Sequence, residues 1–315
     1  MSQPTIPVLD LRQFQAGGAA ARAFTHALGE ALSHFGFFAL ENHGISPELI
    51  RRAYTATEAF FLLPDETRLA YEDPALKGQR GFTRFGREHA KDHPAPDLKE
   101  FWHVGRSLPA DHPLRRVYPD NFWPDQVKDF QPALEVLYAE LDACALLLLE
   151  ATSLALGEPR DCLREMAVDG NSILRLIHYP PVPPDVSPAS VRAAAHEDIN
   201  LITLLCEATD AGLELLDRDG NWQPIAAPPG QIVVDAGDML QNVTNGVLKS
   251  TTHRVVNPSD SRSRRLSMPF FVHPRSEVGL APLAGCVGRC GGERRYRAIT
   301  AGEYLEERLR EIGLT

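Results

Sequence analysis

The sequence predicts a mainly β protein with helices flanking its sheets. Apolar residues recur at helical spacing in the first half of the chain, and Gln131 to Leu156 continues that spacing over one long helix. From Ile173 onward, short apolar runs alternate with Pro, Gly, Asn and Asp. This second pattern is typical of many short strands joined by turns.

The first half of the chain is predicted to start with a helix and a strand. Ala19 to His34 has helical spacing, and the aromatic run Phe35 to Leu40 is typical of a strand. Ser46-Pro47-Glu48 offers an N-cap hydroxyl, a proline at the first helical position and an acid against the helix dipole, so a second helix is predicted up to about Leu63. Gly78 to His93 has no clear period and is predicted to be a loop over a pocket.

The second half is predicted to be an all-β body. Asn245-Gly246 marks a tight turn, and the proline-rich stretch Pro180 to Pro188 is predicted to be an extended loop. The tail from Tyr304 to Ile312 returns to helical spacing. The candidate strands are Ile173 to Tyr179, Leu201 to Cys206, Leu213 to Leu216, Gln231 to Val234, His253 to Val256 and Leu266 to Val272.

Length and composition indicate one compact unit. A chain of 315 residues, 43% hydrophobic and 23% charged, has enough apolar material for a large core. Within it, residues 1–120 are predicted to form an amino-terminal segment that packs on a core of residues 121–315. The net charge of -10 would repel a phosphate backbone, so nucleic acid is not expected as a partner. The sequence gives no indication of the oligomeric state.

The expected location is the cytoplasm. The longest strongly apolar run, Ala143 to Leu149, is far shorter than the roughly 20 residues of a membrane-spanning helix, and Met1 to Leu11 lacks the pattern of a secretion signal. Membranes are therefore not expected as partners. The five cysteines are odd in number and widely spaced, so we expect them to be reduced. Cys286 and Cys290 lack the further ligands of a structural zinc site, and a plain loop is predicted there.

Two histidines and a carboxylate form a candidate metal site. Residues two apart in extended chain point to the same face, so the side chains of His196 and Asp198 are expected to converge. His253, which follows Asp198 after 54 intervening residues, offers a third ligand. This ligand set is the facial triad of non-haem Fe(II) oxygenases, and it leaves three coordination positions open for a 2-oxo acid and O2.

A candidate carboxylate site lies shortly after the third ligand. Arg265 and Ser267 share a strand face twelve positions beyond His253. A guanidinium and a hydroxyl presented together suit a carboxylate, which arginine binds through two charge-assisted hydrogen bonds. We expect this pair to bind the distal carboxylate of 2-oxoglutarate and Tyr179 to add a phenolic donor.

Further short motifs accompany these residues in order along the chain. In the amino-terminal part they are Ile6 to Leu11, His34 to Phe38 and Asn42 to Ile45. In the carboxy-terminal part they are His196 to Asp198, Thr203 to Leu205, Gly237-Asp238, Asn245-Gly246, Lys249-Ser250, His253 to Val255, Arg265 to Ser267 and Pro269 to Phe271. With these motifs, nearly the whole chain resembles the isopenicillin N synthase-like branch of the 2-oxoglutarate/Fe(II)-dependent dioxygenase superfamily.

The resemblance implies a distorted double-stranded β-helix, or jelly roll, with Fe(II) in its mouth. It also implies an enzyme that couples decarboxylation of 2-oxoglutarate to succinate and CO2 with hydroxylation, desaturation or cyclisation of a small molecule. O2 is then the oxidant, and ascorbate is an expected stimulant.

Two positions depart from the family pattern. Many plant members have asparagine where this chain has Ile177, so one polar contact to the co-substrate is expected to be missing or replaced. Members also often read Asn-x-Gly-Asp where this chain has Asp235 to Asp238, a difference expected to concern strand packing only.

Three other functions are compatible with parts of this pattern. An oxidase or cyclase of the isopenicillin N synthase type would keep Fe(II) and O2 and would use Arg265 and Ser267 for its substrate's carboxylate. A non-catalytic metabolite-binding or sensing module would bind metal and keto acid without turnover, although an intact triad argues against it. A zinc hydrolase needs a positioned general base, and Glu197 is expected to point away from the metal.

The motifs do not identify the primary substrate, because substrate contacts lie on variable loops. Candidate contacts lie in or near the irregular segment before the long helix, although a solvated, charged loop would explain the same composition. They are Arg84, Arg87, His89, His93, Trp102 and His103.

Overall fold

The computed structural model describes residues 6–90, 95–184, 186, 190–225, 228–260 and 262–312. The strands are β1 (Val8–Asp10), β2 (Phe37–Glu41), β3 (Gly81–Thr83), β4 (Glu100–Gly105), β5 (Ile173–Tyr179), β6 (Ala193–His196), β7 (Ile202–Cys206), β8 (Leu213–Leu216), β9 (Trp222–Pro224), β10 (Ile232–Ala236), β11 (His253–Val255) and β12 (Arg265–Val272). The α-helices are α1 (Leu11–Gln15), α2 (Gly18–His34), α3 (Pro47–Phe61), α4 (Asp65–Leu69), α5 (Phe130–Ala155), α6 (Cys162–Ala167), α7 (Asp238–Val243), α8 (Ala284–Arg289) and α9 (Ala301–Glu311).

The strands form two sheets. The larger has the order β1-β2-β10-β7-β12-β5-β4-β3, and the smaller has the order β6-β11-β8-β9. Only β1 and β2 pair in parallel among the strands described. A buried apolar cluster joins Phe37 and Val233 of the larger sheet to Leu213 and Val255 of the smaller. Two facing sheets with flanking helices form the predicted jelly-roll core.

Helices cover the other face of the larger sheet. Strand β5 shows the division, because Leu174 and Leu176 belong to the helix-facing cluster, whereas Ile177 and Tyr179 belong to the cluster between the sheets. This alternation is the period of two that a strand buried on both faces requires. Against the helix-facing side, the ring of Tyr138 in α5 lies 4.9 Å from that of Phe270 in β12, edge to face. The sheet is thereby fixed between helices and a second sheet.

The amino-terminal strands belong to the same sheet as the later ones. Strand β2 pairs with β10, and β4 pairs with β5, so the first part of the chain extends both sides of the larger sheet. No helix in the described ranges is long and apolar enough to cross a membrane. The five cysteines are all unpaired.

Most of the predicted elements lie where the sequence indicates. Strands β5 and β8 have the predicted bounds, and α2, α3, α5 and α9 each begin or end within a few residues of the prediction. At the start of α3, Ser46 Oγ accepts a hydrogen bond of 3.2 Å from the backbone N–H of Glu48, as an N-cap should. Asn245 and Gly246 form the predicted turn, with φ of 54° and 79°. The predicted Pro180 to Pro188 loop has no helix or strand at its described positions; residues 185 and 187–188 lie outside them.

Two predictions about the second half are wrong, and the predicted loop holds only in part. The segment Gly78 to His93 contains the short strand β3 and has no other helix or strand at its described positions; residues 91–93 lie outside them. The second half is not all β, because α7 and α8 interrupt it. The segment from Cys286 to Cys290 is α8 and its carboxyl end rather than a plain loop. These elements have only three to six residues, too few for a hydrophobic period to show.

Candidate active site

The three predicted metal ligands converge on one point. His196 ends β6 and pairs with His253, the first residue of β11, while Asp198 lies in the connection from β6 to β7. The Nε2 atoms of His196 and His253 lie 3.8 Å and 3.7 Å from Asp198 Oδ1. All three candidate ligand atoms lie within 4.8 Å of one another. A single ion can therefore contact all three residues, which we call the triad.

Hydrogen bonds to the remote atoms leave the ligand atoms free. His196 Nδ1 lies 2.7 Å from the carbonyl oxygen of Ala194, and His253 Nδ1 lies 3.2 Å from that of Thr251. Because a carbonyl oxygen only accepts, each Nδ1 donates, and each Nε2 is left to bind metal. The hydroxyl of Thr203 donates to Asp198 Oδ2, which leaves Oδ1 facing the imidazoles.

The loop that carries Asp198 is held by close backbone contacts. The backbone N–H of Asp238 donates to the carbonyl oxygen of Asp198 at 2.7 Å. The backbone N–H of Gly237 donates to the carbonyl oxygen of Leu201 at 2.9 Å. A Cβ atom at Gly237 would lie 2.2 Å from the carbonyl oxygen of Asn200. Only glycine therefore permits this approach of β10 and α7 to the triad.

Burial controls the charge states around the triad. Burial and the adjacent His253 lower the pKa of His196 to about 4, so the ring is neutral at neutral pH, as a metal ligand must be. Burial, followed by the charge of Asp198, raises the pKa of Asp235 well above its usual value. Asp235 lies in the same cavity as the triad, and its Oδ2 has no hydrogen-bond partner among the described residues. The expectation that this position concerns strand packing only is therefore wrong.

An inner cavity of about 70 Å³ extends from the triad between the two sheets. Arg265, Ser267 and Tyr179 all line it, and Arg265 is the register partner of Tyr179 across β12 and β5. Arg265 is buried, its Nε donates to the carbonyl oxygen of Asp210 at 3.0 Å, and its Nη1 has no partner in the described part of the chain. A buried guanidinium nitrogen without a partner marks a site for an anion. The apolar Ile177 also lines this cavity.

An outer cavity of about 300 Å³ opens on the other side of the triad. Its wall carries a buried charge network in which Lys99 Nζ lies 2.7 Å from both Glu88 Oε1 and Asp97 Oδ2. Arg175 binds the same Glu88 through Nη1 at 3.1 Å and donates from Nε to His103 at 2.6 Å. Lys99 and Arg175 line both cavities, so two cations lie at the boundary where the cavities meet.

The predicted substrate contacts divide into two groups. His89 and His103 line the outer cavity. Arg84 and Arg87 are exposed and do not line this cavity. The predicted substrate contact of Trp102 is wrong, because its ring is fully buried against Phe60 and Phe130. His93 lies outside the described residues.

Other parts of the outer cavity were not predicted. Phe271, the last residue of the Pro269 to Phe271 motif, and His273, two residues further on, line the cavity, although no contact was predicted for either. The buried His273 has an Nδ1 atom without a partner in the described ranges. Helix α9 adds Leu305 and Leu309, and Ile312, which directly follows the helix, also lines the cavity. The period of α9 predicts an apolar face, but only the fold shows that this face covers the cavity.

Two family models match the chain. Residues 6–126 match the model described as the amino-terminal region of the non-haem dioxygenase in morphine synthesis. Residues 170–274 match the model of the 2OG-Fe(II) oxygenase superfamily, and this range contains the triad, Tyr179, Arg265 and Ser267.

Relatives of similar length match nearly the whole chain. Proline hydroxylase buaE of Petromyces alliaceus is 33% identical over 91% of this chain and 92% of its own length. A Caulobacter crescentus structure assigned to the 2OG-Fe(II) oxygenase family has a TM-score of 0.87 at 40% identity, covering 98% of this chain and 99% of that one. The full-length Neurospora crassa protein solved with alpha-KG has a TM-score of 0.85 at 30% identity, covering 97% and 95%. With alpha-KG and thymine the same protein has a TM-score of 0.84 at 29% identity, covering 97% and 96%.

The fold, the His-Asp-His group and the comparisons agree on one class of protein. The relatives are hydroxylases or oxygenases, and the Neurospora crassa structures contain 2-oxoglutarate under the name alpha-KG. The chain therefore belongs to the 2-oxoglutarate/Fe(II) oxygenase superfamily, in its isopenicillin N synthase-like branch, and is a non-haem iron, 2-oxoglutarate-dependent dioxygenase.

Proposed function

We propose that the triad binds Fe(II), and that Arg265, Ser267 and Tyr179 bind the distal carboxylate of 2-oxoglutarate in the inner cavity. The observation that carries this proposal is the inner cavity itself, which joins the triad to the unpartnered Nη1 of the buried Arg265. A keto acid bound there has its distal carboxylate at Arg265 and its 2-oxo end toward the triad.

The residues of the chain prepare the site for this chemistry. When Fe(II) is bound, it supplies O2 activation coupled to decarboxylation of the keto acid. His196 and His253 are oriented by backbone carbonyls, and Thr203 fixes the rotation of Asp198. Arg265, which is buried, offers charge-assisted hydrogen bonds to a carboxylate.

The second substrate is proposed to be a small polar molecule of about the size of an amino acid or a nucleobase. The outer cavity is small, and Lys99, Arg175, Glu88 and Asp97 give one wall charged groups, while apolar residues of α9 cover another side. The names of two relatives support this size and polarity, because one hydroxylates proline and the other was solved with thymine. The oxidation itself is hydroxylation, desaturation or cyclisation of this molecule.

The comparisons favour this function over a metal hydrolase, because the relatives are hydroxylases or oxygenases. Glu197, the candidate base of a hydrolase, is exposed, lines the outer cavity and accepts a hydrogen bond from the hydroxyl of Thr252. The amino-terminal segment of residues 1–120 is proposed to pack as part of one unit with residues 121–315, which the sharing of the larger sheet supports. The cytoplasm is the proposed location, supported by the five unpaired cysteines.

An anaerobic binding experiment tests the assignment of the ligands. Wild-type protein with Fe(II) and 2-oxoglutarate is expected to show the visible charge-transfer band of Fe(II) chelated by a keto acid. Asp198→Ala should abolish the band, and Glu197→Gln, which changes the neighbouring carboxylate, should retain it. A band that survives Asp198→Ala, or that is lost in Glu197→Gln, would contradict the proposal.

A further inference from the structure

A second buried arginine lies beside Tyr179, a residue that lines the inner cavity. The side chain of Arg192, four residues before His196, is completely buried. Its guanidinium carbon lies 5.8 Å from the centre of the Tyr179 ring, and that of Arg265 lies 5.1 Å from the same ring. Two guanidinium groups therefore lie beside one tyrosine of the proposed keto-acid site.

These two cations have too few anionic partners. Among the described residues, the only carboxylate in ion-pair contact with either is Asp210, whose Oδ2 lies 3.6 Å from Arg192 Nη1 and whose side chain is 38% exposed. Nε and Nη1 of Arg192 and Nη1 of Arg265 have no hydrogen-bond partner within the described ranges. Burial, followed by the charge of Arg265, lowers the pKa of Arg192. Unpaired buried charge is costly, so the arrangement favours a bound anion.

Arg192 also supports the group that holds Arg265. Its Nη2 donates to the carbonyl oxygen of Ser263 at 2.7 Å, and the hydroxyl of Ser263 donates to Asp210 Oδ2 at 2.6 Å. The carbonyl oxygen of Asp210 in turn accepts the hydrogen bond from Arg265 Nε at 3.0 Å. A continuous set of contacts thus runs from Arg192 to Arg265.

We infer that Arg192 is a positioning residue that makes the site selective for a 2-oxo diacid over a 2-oxo monoacid. Arg192 and Arg265 together place one positive charge more beside Tyr179 than Asp210 neutralises. The second carboxylate of 2-oxoglutarate supplies the missing negative charge, and a methyl group at that position does not. This inference rests on the proposed binding of 2-oxoglutarate at Arg265.

The test compares two ligands on protein loaded with Mn(II), which keeps the site occupied without turnover. Calorimetry measures the dissociation constants of 2-oxoglutarate and of 2-oxopentanoate, which has the same chain length but ends in a methyl group. Arg192→Met is expected to weaken 2-oxoglutarate binding roughly tenfold, as loss of a charge several Å away predicts, and to change 2-oxopentanoate binding by less than about twofold. Arg192→Lys should recover part of the selectivity.

A matched control separates this effect from general damage. Arg106 is a mostly buried arginine that pairs with Asp142 at 2.8 Å and lies 5.8 Å from the ring of Tyr138. Neither Arg106 nor Tyr138 lines either cavity, whereas Arg192 lies beside Tyr179, which lines the inner one. Arg106→Met should leave the selectivity between the two acids unchanged. If Arg192→Met does not fold, Asp210→Asn provides the opposite test, because removing this partly exposed anion should tighten 2-oxoglutarate binding and leave 2-oxopentanoate binding unchanged.

The outcomes distinguish the inference from the proposed function. The inference would be overturned if Arg192→Met weakened the binding of both acids equally or changed the binding of neither. Unchanged selectivity between the two acids in Asp210→Asn would also overturn it. If Arg265→Met loses the selectivity while Arg192→Met keeps it, the inference fails and the keto-acid site stands. If the wild type does not prefer the diacid, or Arg265→Met still prefers it, the keto-acid site itself fails.

Discussion

At the scale of single residues, the candidate site depends on which atom of each side chain is already engaged. Backbone carbonyl oxygens accept hydrogen bonds from Nδ1 of His196 and of His253, and the hydroxyl of Thr203 donates one to Oδ2 of Asp198. The remaining atoms face one another. Such outer contacts orient ligands before metal arrives, so their removal should cost metal affinity even though the ligands remain.

Thr203→Val should therefore weaken metal binding. The loss of the hydrogen bond to Asp198 is expected to reduce affinity for Mn(II) by roughly 10- to 100-fold, the usual range for such contacts. A chelator competition assay measures this change. The matched control is Thr252→Val, because Thr252 donates in the same way to Glu197, which is not a proposed ligand. Equal effects of the two variants would contradict the assigned role of Thr203.

His273 should make the metal-free protein sensitive to acid. Burial lowers its pKa to about 4 in the folded state from the ordinary histidine value of 6.5. As pH falls below 6.5, the unfolded chain takes up a proton that the folded chain does not, so the free energy of unfolding falls between about pH 6.5 and 4. For this residue the loss approaches roughly 3 kcal/mol.

Urea unfolding of metal-free protein at several pH values checks this prediction. His273→Gln should make the decline between pH 6.5 and 4 shallower, whereas His34→Gln, which changes a half-exposed histidine of α2, should not. A decline of the same steepness in His273→Gln and in the wild type would show that His273 is not responsible.

At the scale of elements, long periodic segments were easier to predict from sequence than short ones. The apolar period of α5 extends over 26 residues, and β5 has seven. Strands β3 and β9 have three residues each and were not predicted, whereas β11, equally short, was predicted as part of an apolar run between turn residues. The position of His196 illustrates the limit. Its spacing to Asp198 could be predicted, but its pairing with His253 depends on β6 lying beside β11.

Helix α9 links local structure to the outer cavity. Thr300 and Glu303 form a capping box at its start, and Leu305, Leu309 and Ile312 from this region line the cavity. Thr300→Ala should destabilise the helix end by about 1 kcal/mol. The expected result is faster amide hydrogen exchange in α9 with unchanged Mn(II) affinity.

A control for this variant is available in another helix. Thr55→Ala removes a hydroxyl that bonds the carbonyl oxygen of Arg51 inside α3, where it caps nothing. Exchange in α9 should not change in this variant. Unchanged amide exchange in Thr300→Ala would contradict the stabilising role of the capping box. A large loss of Mn(II) affinity would contradict the view that α9 lines the outer cavity without supporting the triad.

At the scale of the whole molecule, the fold brings together groups that no local motif connects. Glu88 lies in the segment between β3 and β4, Lys99 directly precedes β4, and Arg175 lies in β5, yet all three meet beside the triad. The triad and Arg265 follow recognisable motifs, so they could be predicted from sequence. The buried charge network and Arg192 could not, because their role arises only from strand pairing and burial.

The two cavities explain how one metal site can serve two substrates. The inner cavity contains the proposed carboxylate site, and the outer cavity opens toward α9. Both reach His196 and Asp198, so a keto acid and a second molecule can approach the same ion from different sides. The central claim is therefore turnover of 2-oxoglutarate at the triad.

Release of CO2 tests this claim most directly. Anaerobic protein is mixed with Fe(II), ascorbate and 2-oxoglutarate labelled at the 1-carboxylate, O2 is admitted, and labelled CO2 and unlabelled succinate are quantified. The wild type should form both products in equal amounts, slowly without the second substrate, and His196→Ala should form neither. Glu197→Gln should behave as the wild type. Keto-acid turnover that persists in His196→Ala, or a wild type that binds 2-oxoglutarate and consumes none, would contradict the account.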